Sequence, residues 1–276
     1  MFVTISATLS VAAAKLTRVS DTPRLDAELL MARALGIRRE TMLLNHLDAL
    51  TPDSFTPLLA RRMAHEPLAY ITGTRDFWTI SLHVAPGVLI PRPDSETLIE
   101  AAVAHFGKAG PKRMLDLGTG SGALLLAALA EWPESSGLGI DASDVALAIA
   151  GQNAVLLELS GRANFRRGHW AEGITEAFDL ILCNPPYVEI SAILPPEVRD
   201  HEPASALFGG ADGLDDYRHV IPQLPELIAP GGIACLEIGY TQAVAVSAIA
   251  QRAGLEAQLK HDLAGHPRCL VLSGAA

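Results

Sequence analysis

From about Pro111 onward the chain alternates between short apolar runs and longer stretches rich in Ala and Leu. No other feature constrains the fold as tightly. Arg113 to Leu117 reads as a buried strand and Ser121 to Trp132 as a helix. Leu138-Gly139-Ile140 is a short strand ending at Asp141, and Ser143 to Leu159 is the next helix. Phe178 to Cys183, Ile233 to Ile238 and Cys269 to Leu272 read as further apolar strands. Strands that are apolar throughout, with helices between them, call for an open, mostly parallel sheet covered on both faces. The expected fold class is therefore α/β, and no internal repeat or low-complexity tract interrupts it.

The chain ahead of that region has a different period. Leu25, Glu28, Leu29, Ala32 and Leu35 give helical spacing that Gly36 closes, and Thr51-Pro52-Asp53 opens a helix carrying Leu58, Leu59 and Met63. No catalytic grouping occurs there, which leaves packing and partner contact as its expected work. Between Phe77 and Leu89, Trp78, Ile80, Leu82 and Val84 alternate with polar residues, and Pro86-Gly87 turns the chain into Val88-Leu89-Ile90. That is a hairpin signature. The expected organisation is a helical domain over 1–75, a β-hairpin linker over 76–92 and the α/β domain over 93–276.

Composition removes several function classes. With 49% hydrophobic and 19% charged residues, the 276-residue chain has too much apolar surface for disorder. Its 21 Lys and Arg against 31 Asp and Glu leave a net charge of −10, so nothing global supplies a basic face for nucleic acid. The longest stretch without Asp, Glu, Lys or Arg runs 15 residues from Phe77 to Pro91, short of the ~20 that a membrane helix needs. The uncharged, Ala- and Ser-rich first 14 residues resemble a signal peptide but lack its positive start, and Lys15 and Arg18 fall where cleavage would occur. They read as the first amphipathic helix of a cytoplasmic protein. Cys183, Cys235 and Cys269 are far apart and form no CxxC pair, so reduced, strand-packed thiols are expected. The histidines show no metal-ligand spacing, and Asp212, Asp215 and Asp216 lack the spacing of a calcium loop. No metal is expected.

Two segments carry chemistry. Asp116-Leu117-Gly118-Thr119-Gly120-Ser121-Gly122 leaves a strand and opens a helix, as a cofactor-binding turn does. Asp141, 21 residues beyond Gly120, ends the next strand, where an acid can accept both hydroxyls of a ribose. Dinucleotides and S-adenosylmethionine both fit that pair. The spacing is G-x-G-x-G, not the dinucleotide G-x-G-x-x-G, and Asp116 before the turn suits the ammonium of the methyl donor better than a pyrophosphate. S-adenosyl-L-methionine is the expected cofactor, on a Rossmann-like methyltransferase domain.

The second segment, Asn184-Pro185-Pro186-Tyr187, follows the strand ending at Cys183, which places it beyond the same sheet edge as the glycine turn. It suits methyl transfer to a planar, conjugated nitrogen. Such a nitrogen is a weak nucleophile and must be held with its lone pair directed at the methyl group. The Asn184 side-chain oxygen can accept one N–H and the Pro185 carbonyl the other. The prolines fix the backbone, and Tyr187 offers a flat ring to a flat acceptor. Orientation supplies most of the acceleration.

With these residues in view, the chain resembles the release-factor glutamine methyltransferase family (HemK/PrmC) over nearly its whole length. The resemblance is carried by Leu25 to Leu30, Glu66 to Gly73, Leu89 to Glu96, Glu202-Pro203 with Ala206-Leu207, and Asp212 to Arg218. The tetrapeptide at Asn184 is shared with adenine-N6 methylases. The resemblance implies cofactor binding by Gly118, Thr119, Gly120, Ser121 and Gly122, with Asp141 on the ribose, Trp170 against the adenine and Asn184 at both cofactor and substrate. It implies acceptor contacts from Asn184, Pro185, Pro186 and Tyr187. Many relatives carry Asp before the aromatic, where this chain has His169-Trp170, so recognition of the base is expected to differ in detail. The implied reaction methylates the glutamine amide of the Gly-Gly-Gln motif in peptide chain release factors. The partner would be a protein, bound by a monomeric enzyme through residues 1–75, with no direct nucleic-acid or membrane contact. The alternatives are an adenine-N6 nucleic-acid methyltransferase, glutamine methylation of a ribosomal protein, and a non-catalytic adaptor that keeps the fold.

Overall fold

The computed structural model describes residues 3–274. They fall into two units: the chain up to Thr74 together with Leu194–His201, and the remainder.

The first unit is helical. Its opening helix, Ile5–Leu16, is capped by Thr4, whose hydroxyl accepts from the Ala7 N–H, and it buries Ile5, Leu9, Ala12 and Leu16. That stripe is the expected amphipathic face. The helix Pro23–Leu35 ends at Gly36 in the left-handed region, as expected, but its buried face is shifted. Ala27, Leu30 and Met31 point inward, while Leu25 is 40% exposed. The reason is that Asp26 and Glu28 are also buried, each paired with arginine. Of the expected stripe, Glu28 and Ala32 are buried and Leu35 packs against the core, so only its first member, Leu25, faces outward. Short helices Arg39–Asn45, Phe55–Met63 and Leu68–Thr72 complete the bundle around Met42, Phe55 and Ile71.

The hairpin forms one turn earlier than the alternation suggests. Strands β1 (Thr74–Phe77) and β2 (Ile80–His83) pair as a two-stranded sheet, and Trp78, at φ 54°, makes the turn. Pro86-Gly87 does turn, but the Val88-Leu89-Ile90 that follows is not a strand.

The second unit is a seven-stranded sheet in the order β5-β4-β3-β6-β7-β9-β8. Here β3 is Arg113–Leu117, β4 Ser136–Asp141, β5 Ala163–Arg167, β6 Phe178–Cys183, β7 Ile228–Glu237, β8 Leu255–His261 and β9 Pro267–Gly274. The pairs among β3 to β7 are parallel, and β9 is antiparallel to both β7 and β8. β6 shows why its run is apolar throughout. Leu180 and Leu182 pack on one face with Leu98, Leu125 and Cys235, while Ile181 and Cys183 pack on the other with Tyr217, Val220 and Leu236. All three cysteines are free and buried.

Candidate active site

The sheet order fixes where a ligand can sit. From β3 the chain winds outward through β4 to β5, then crosses back to β6 on the other side of β3. Leu117 of β3 is in register with Ile140 of β4 and with Cys183 of β6. The residues that follow these three, Gly118, Asp141 and Asn184, therefore leave the sheet side by side at its topological switch point. Ligands of open α/β sheets bind there.

The glycine turn is held from several directions. The Gly118 and Thr119 N–H groups both donate to the Ile140 carbonyl at 2.9 Å, and Gly122 N–H donates to the Thr119 carbonyl at 2.8 Å. Gly118 has φ +72°, and a Cβ on it would stand 3.2 Å from the Trp170 ring, so a side chain would be strained and crowded there. Asp141 accepts from Gly120 N–H through Oδ2 and from Ser143 N–H through Oδ1, each at 2.8 Å. Each carboxylate oxygen retains acceptor capacity for a ligand hydroxyl. Asn153, fully buried, donates to the carbonyls of Ser121 and His83 and accepts from the His83 N–H. It joins β2 to the turn, a role invisible in its local sequence.

Asp116 lies differently from its expected place beside a ligand ammonium. It is 1% exposed, under the turn, with Oδ2 accepting from the Thr119 hydroxyl at 2.6 Å and Oδ1 without a partner among the described residues. Burial pushes its pKa up to about 7, against the Thr119 bond and with help from the Asp141 charge. Thr119 stands between this carboxyl and the cavity.

The cavity itself is about 610 Å³, the size of a small-molecule site. Of the residues singled out from sequence, Gly118, Thr119, Gly120, Ser121, Asp141, Trp170, Asn184 and Pro186 line it. Gly122, Pro185 and Tyr187 flank these residues in sequence but are not among those that line it. Tyr187 turns its hydroxyl to Glu237 Oε1 at 2.9 Å, and its backbone carbonyl receives the Gln242 side-chain amide at 3.0 Å. A Cβ on Gly213 would lie 2.3 Å from that carbonyl, so only glycine lets the loop after Phe208 close against the tetrapeptide. Burial and the Glu237 charge push the Tyr187 hydroxyl well above the ordinary tyrosine range. Wall residues that sequence reading missed include Ser95, Val88, Leu89 and Asp216. Val88 and Leu89, expected as the second hairpin strand, instead form wall.

At the far end Trp170 adopts φ 51°, an uncommon conformation for so large a side chain. Asp216, also on the wall, has its pKa raised by burial, with the Trp170 side chain opposing the shift. His169, also on the wall, meets Glu172 at 3.2 Å, and His219 meets the same carboxylate at 3.5 Å. The ligand-capable atoms of these three exposed residues lie within 4.8 Å of one another, a convergence that sequence spacing hides.

The chain is similar to several known proteins. The PrmC N-terminal domain family matches residues 7–73, and the Methyltransferase small domain family matches residues 94–195. A release factor glutamine methyltransferase from Caulobacter vibrioides is 42% identical over 258 residues, 91% of this chain and 89% of its own. One from Vibrio cholerae is 40% identical over 97% of this chain and 96% of its own. A methyltransferase from Pyrococcus furiosus, 16% identical, shares the fold with a TM-score of 0.55, covering 79% of this chain and 97% of that one.

Proposed function

Since the chain belongs to the release factor glutamine methyltransferase family, we propose that it methylates the side-chain amide nitrogen of the glutamine in the Gly-Gly-Gln motif of peptide chain release factors. The methyl donor is S-adenosyl-L-methionine. The observation that carries the reading is the emergence of Gly118, Asp141 and Asn184 at one switch point, around one cavity.

The donor fits the residues present. Asp141 keeps acceptor capacity for a ribose diol, Trp170 offers a flat face for adenine, and Gly118 to Ser121 form a side-chain-poor cradle. When bound, S-adenosylmethionine supplies an electrophilic methyl group. The chain's own contribution is orientation. Asn184 Nδ2 is engaged by Ser95 Oγ at 3.2 Å, which leaves Oδ1 as the acceptor turned to the substrate. With the Pro185 carbonyl it would hold both N–H bonds of the glutamine amide, directing the nitrogen lone pair at the methyl group. The apolar wall of Val88, Leu124, Ile140 and Ala146 excludes water from that meeting. A Gly-Gly-Gln loop has little bulk around its backbone and can enter a narrow cavity. The acidic balance of the chain disfavours a polyphosphate partner. The proposal extends to residues 1–75 as the docking domain, and to a cytoplasmic enzyme acting as a monomer.

Labelled methyl transfer to a purified release factor, with mass mapping of the product, tests the reading. Label is expected on the Gly-Gly-Gln glutamine and absent when that glutamine is changed to glutamate. Methylation of duplex DNA with none of the factor would establish the adenine reading instead.

A further inference from the structure

Behind Asn184 lies a buried polar chain that the orientation of the substrate does not itself require. Ser95 ends the helical turn Pro93–Ser95 that runs into the helix Glu96–Phe106, and its side chain makes no capping bond. Here the oxygen is turned away and receives the Asn184 Nδ2–H at 3.2 Å. Ser95 is 3% exposed, and beyond it lies Glu237, 1% exposed at the end of β7. The Ser95 hydroxyl acts on that carboxyl group to lower its pKa against the effect of burial. Glu237 Oε1 accepts from the Tyr187 hydroxyl at 2.9 Å, while Oε2 has no hydrogen-bond partner among the described residues. A carboxyl group is expensive to bury in a strand core, and an incompletely satisfied one calls for an explanation.

We propose that Ser95 and Glu237 are positioning residues that fix which end of the Asn184 carboxamide faces the substrate, and thereby select a glutamine amide over a carboxylate. The inference rests on the reading above, that Asn184 Oδ1 accepts from the substrate amide. An ionised carboxylate only accepts hydrogen bonds. Ionised, Glu237 draws the Ser95 proton toward itself, which leaves the Ser95 oxygen as an acceptor on its other side. Only the NH2 end of Asn184 can satisfy that oxygen, so Oδ1 must point into the cavity. Tyr187, two residues beyond Pro185, donates to the same carboxylate and ties the backbone of the tetrapeptide to the same anchor. Were the relay cut, the carboxamide could rotate by half a turn. Its NH2 would then face the cavity, repelling the N–H bonds of glutamine and welcoming the oxygens of glutamate.

Ser95→Ala removes a single oxygen and is the principal variant, with Ser95→Thr as the conservative control and Glu237→Gln as a second break in the relay. In methyl transfer to the release factor, Ser95→Ala is expected to lower kcat by about 10²-fold, the scale of a misdirected reacting group. The KM for the factor and the Kd for S-adenosylmethionine, measured by calorimetry, should stay unchanged, and Ser95→Thr should restore kcat. The distinguishing readout is inhibition by a factor carrying Gln→Glu in its Gly-Gly-Gln motif. Ser95→Ala and Glu237→Gln should bind it about tenfold tighter than the unaltered enzyme does, which corresponds to about 1.4 kcal/mol. Asn184→Ala, assayed alongside, separates the two levels. If it retains turnover, the reading of Asn184 fails and the relay fails with it. If Asn184→Ala is inactive while Ser95→Ala keeps both kcat and the preference for glutamine, only the relay is overturned. A rise in KM that matches the fall in kcat would also overturn it, in favour of a general structural role.

Discussion

The helical unit and the sheet unit both bury charged groups, and they complete them to different degrees. In the helical unit Arg62, 5% exposed, donates to Asp26, to Glu197 and to the carbonyls of Glu66 and Val19. Burial tends to raise the pKa of Glu28, but bonds from Arg24 and Arg39 outweigh it and hold that carboxyl below its ordinary range. The sheet unit completes Glu202 with Arg92 and the Ile90 N–H, but Asp116 and Glu237, as deeply buried, each leave one oxygen without a partner among the described residues. Burial raises both of their pKa values. The completed charges tie helices together, whereas the incomplete ones lie under the two motifs around the cavity. Where a fold spends its arginines shows what it needs to hold rigid, and where it leaves a carboxyl short shows where a ligand or a reacting group is served.

The contrast can be broken most directly at Arg62. Arg62→Ala leaves Asp26 buried without its guanidinium, and loss of one member of a buried pair costs about 3–5 kcal/mol. The far-UV circular dichroism of the helices should melt early. All three tryptophans, Trp78, Trp132 and Trp170, lie in the sheet unit, so their fluorescence reports on that unit separately. Affinity for S-adenosylmethionine should persist at temperatures below the helical melt. An Arg62→Ala protein that melts like the unaltered chain would show that the completed network is ornamental.

On the sheet side the largest effect is expected at Asn184. Asn184→Ala should lower kcat by about 10²–10³-fold, comparable to removal of one oriented transition-state contact, while the factor still binds. Pull-down of the factor alongside the turnover assay checks both halves; turnover within a fewfold of normal would end the orientation mechanism. A smaller loss is expected at Asp141. Its two oxygens already hold backbone N–H groups, and its ligand bonds add to that work. Asp141→Ala should weaken S-adenosylmethionine at least about tenfold, given ~1.5–3 kcal/mol for a hydrogen bond to a charged group. Calorimetry showing unchanged affinity would remove Asp141 from the cofactor site.

These sites differ in how plainly sequence announces them. Gly118, Asp141 and Asn184 are legible because each follows a strand whose apolar run marks it as buried, and strand ends are where α/β sheets place ligands. The edge strands β5 and β8 escape detection because Ala163–Arg167 and Leu255–His261 mix polar with apolar residues and lie partly exposed. The hairpin turn is misplaced because Pro86-Gly87 has turn chemistry, whereas Trp78 at φ 54° is held by its surroundings; its N–H donates to Glu96. Ser95 looks like a helix cap, and Asn153 like any mid-helix amide. Glu237 alone leaves a signal in its own strand. An acid inside Ile233 to Ile238 must find a partner or lose its charge, and that oddity could have been followed.

The smallest predicted effect tests the incomplete charge under the glycine turn. The pKa of Asp116 stands at about 7, raised mainly by burial, against an ordinary value of 3.8. Between those two pH values the folded protein holds a proton that the unfolded chain releases. The folded state thus binds more protons in that window, and stability must fall as pH rises through it, then level off above about 7. This is opposite in sign to the behaviour of a carboxylate held by arginine, such as Glu28, whose contribution is lost as pH falls. Asp116→Asn removes the titration and keeps a polar side chain against Thr119. Comparing the two proteins by denaturant unfolding, followed by tryptophan fluorescence from pH 5 to 8, isolates the contribution of this carboxyl group. The unaltered protein should lose about 1 kcal/mol per pH unit relative to Asp116→Asn up to neutrality, within the 1.36 kcal/mol that one unit represents. A gain in relative stability over the same range would show that Asp116 is a completed charge like those of the helical unit, and the contrast between the units would lose its clearest example.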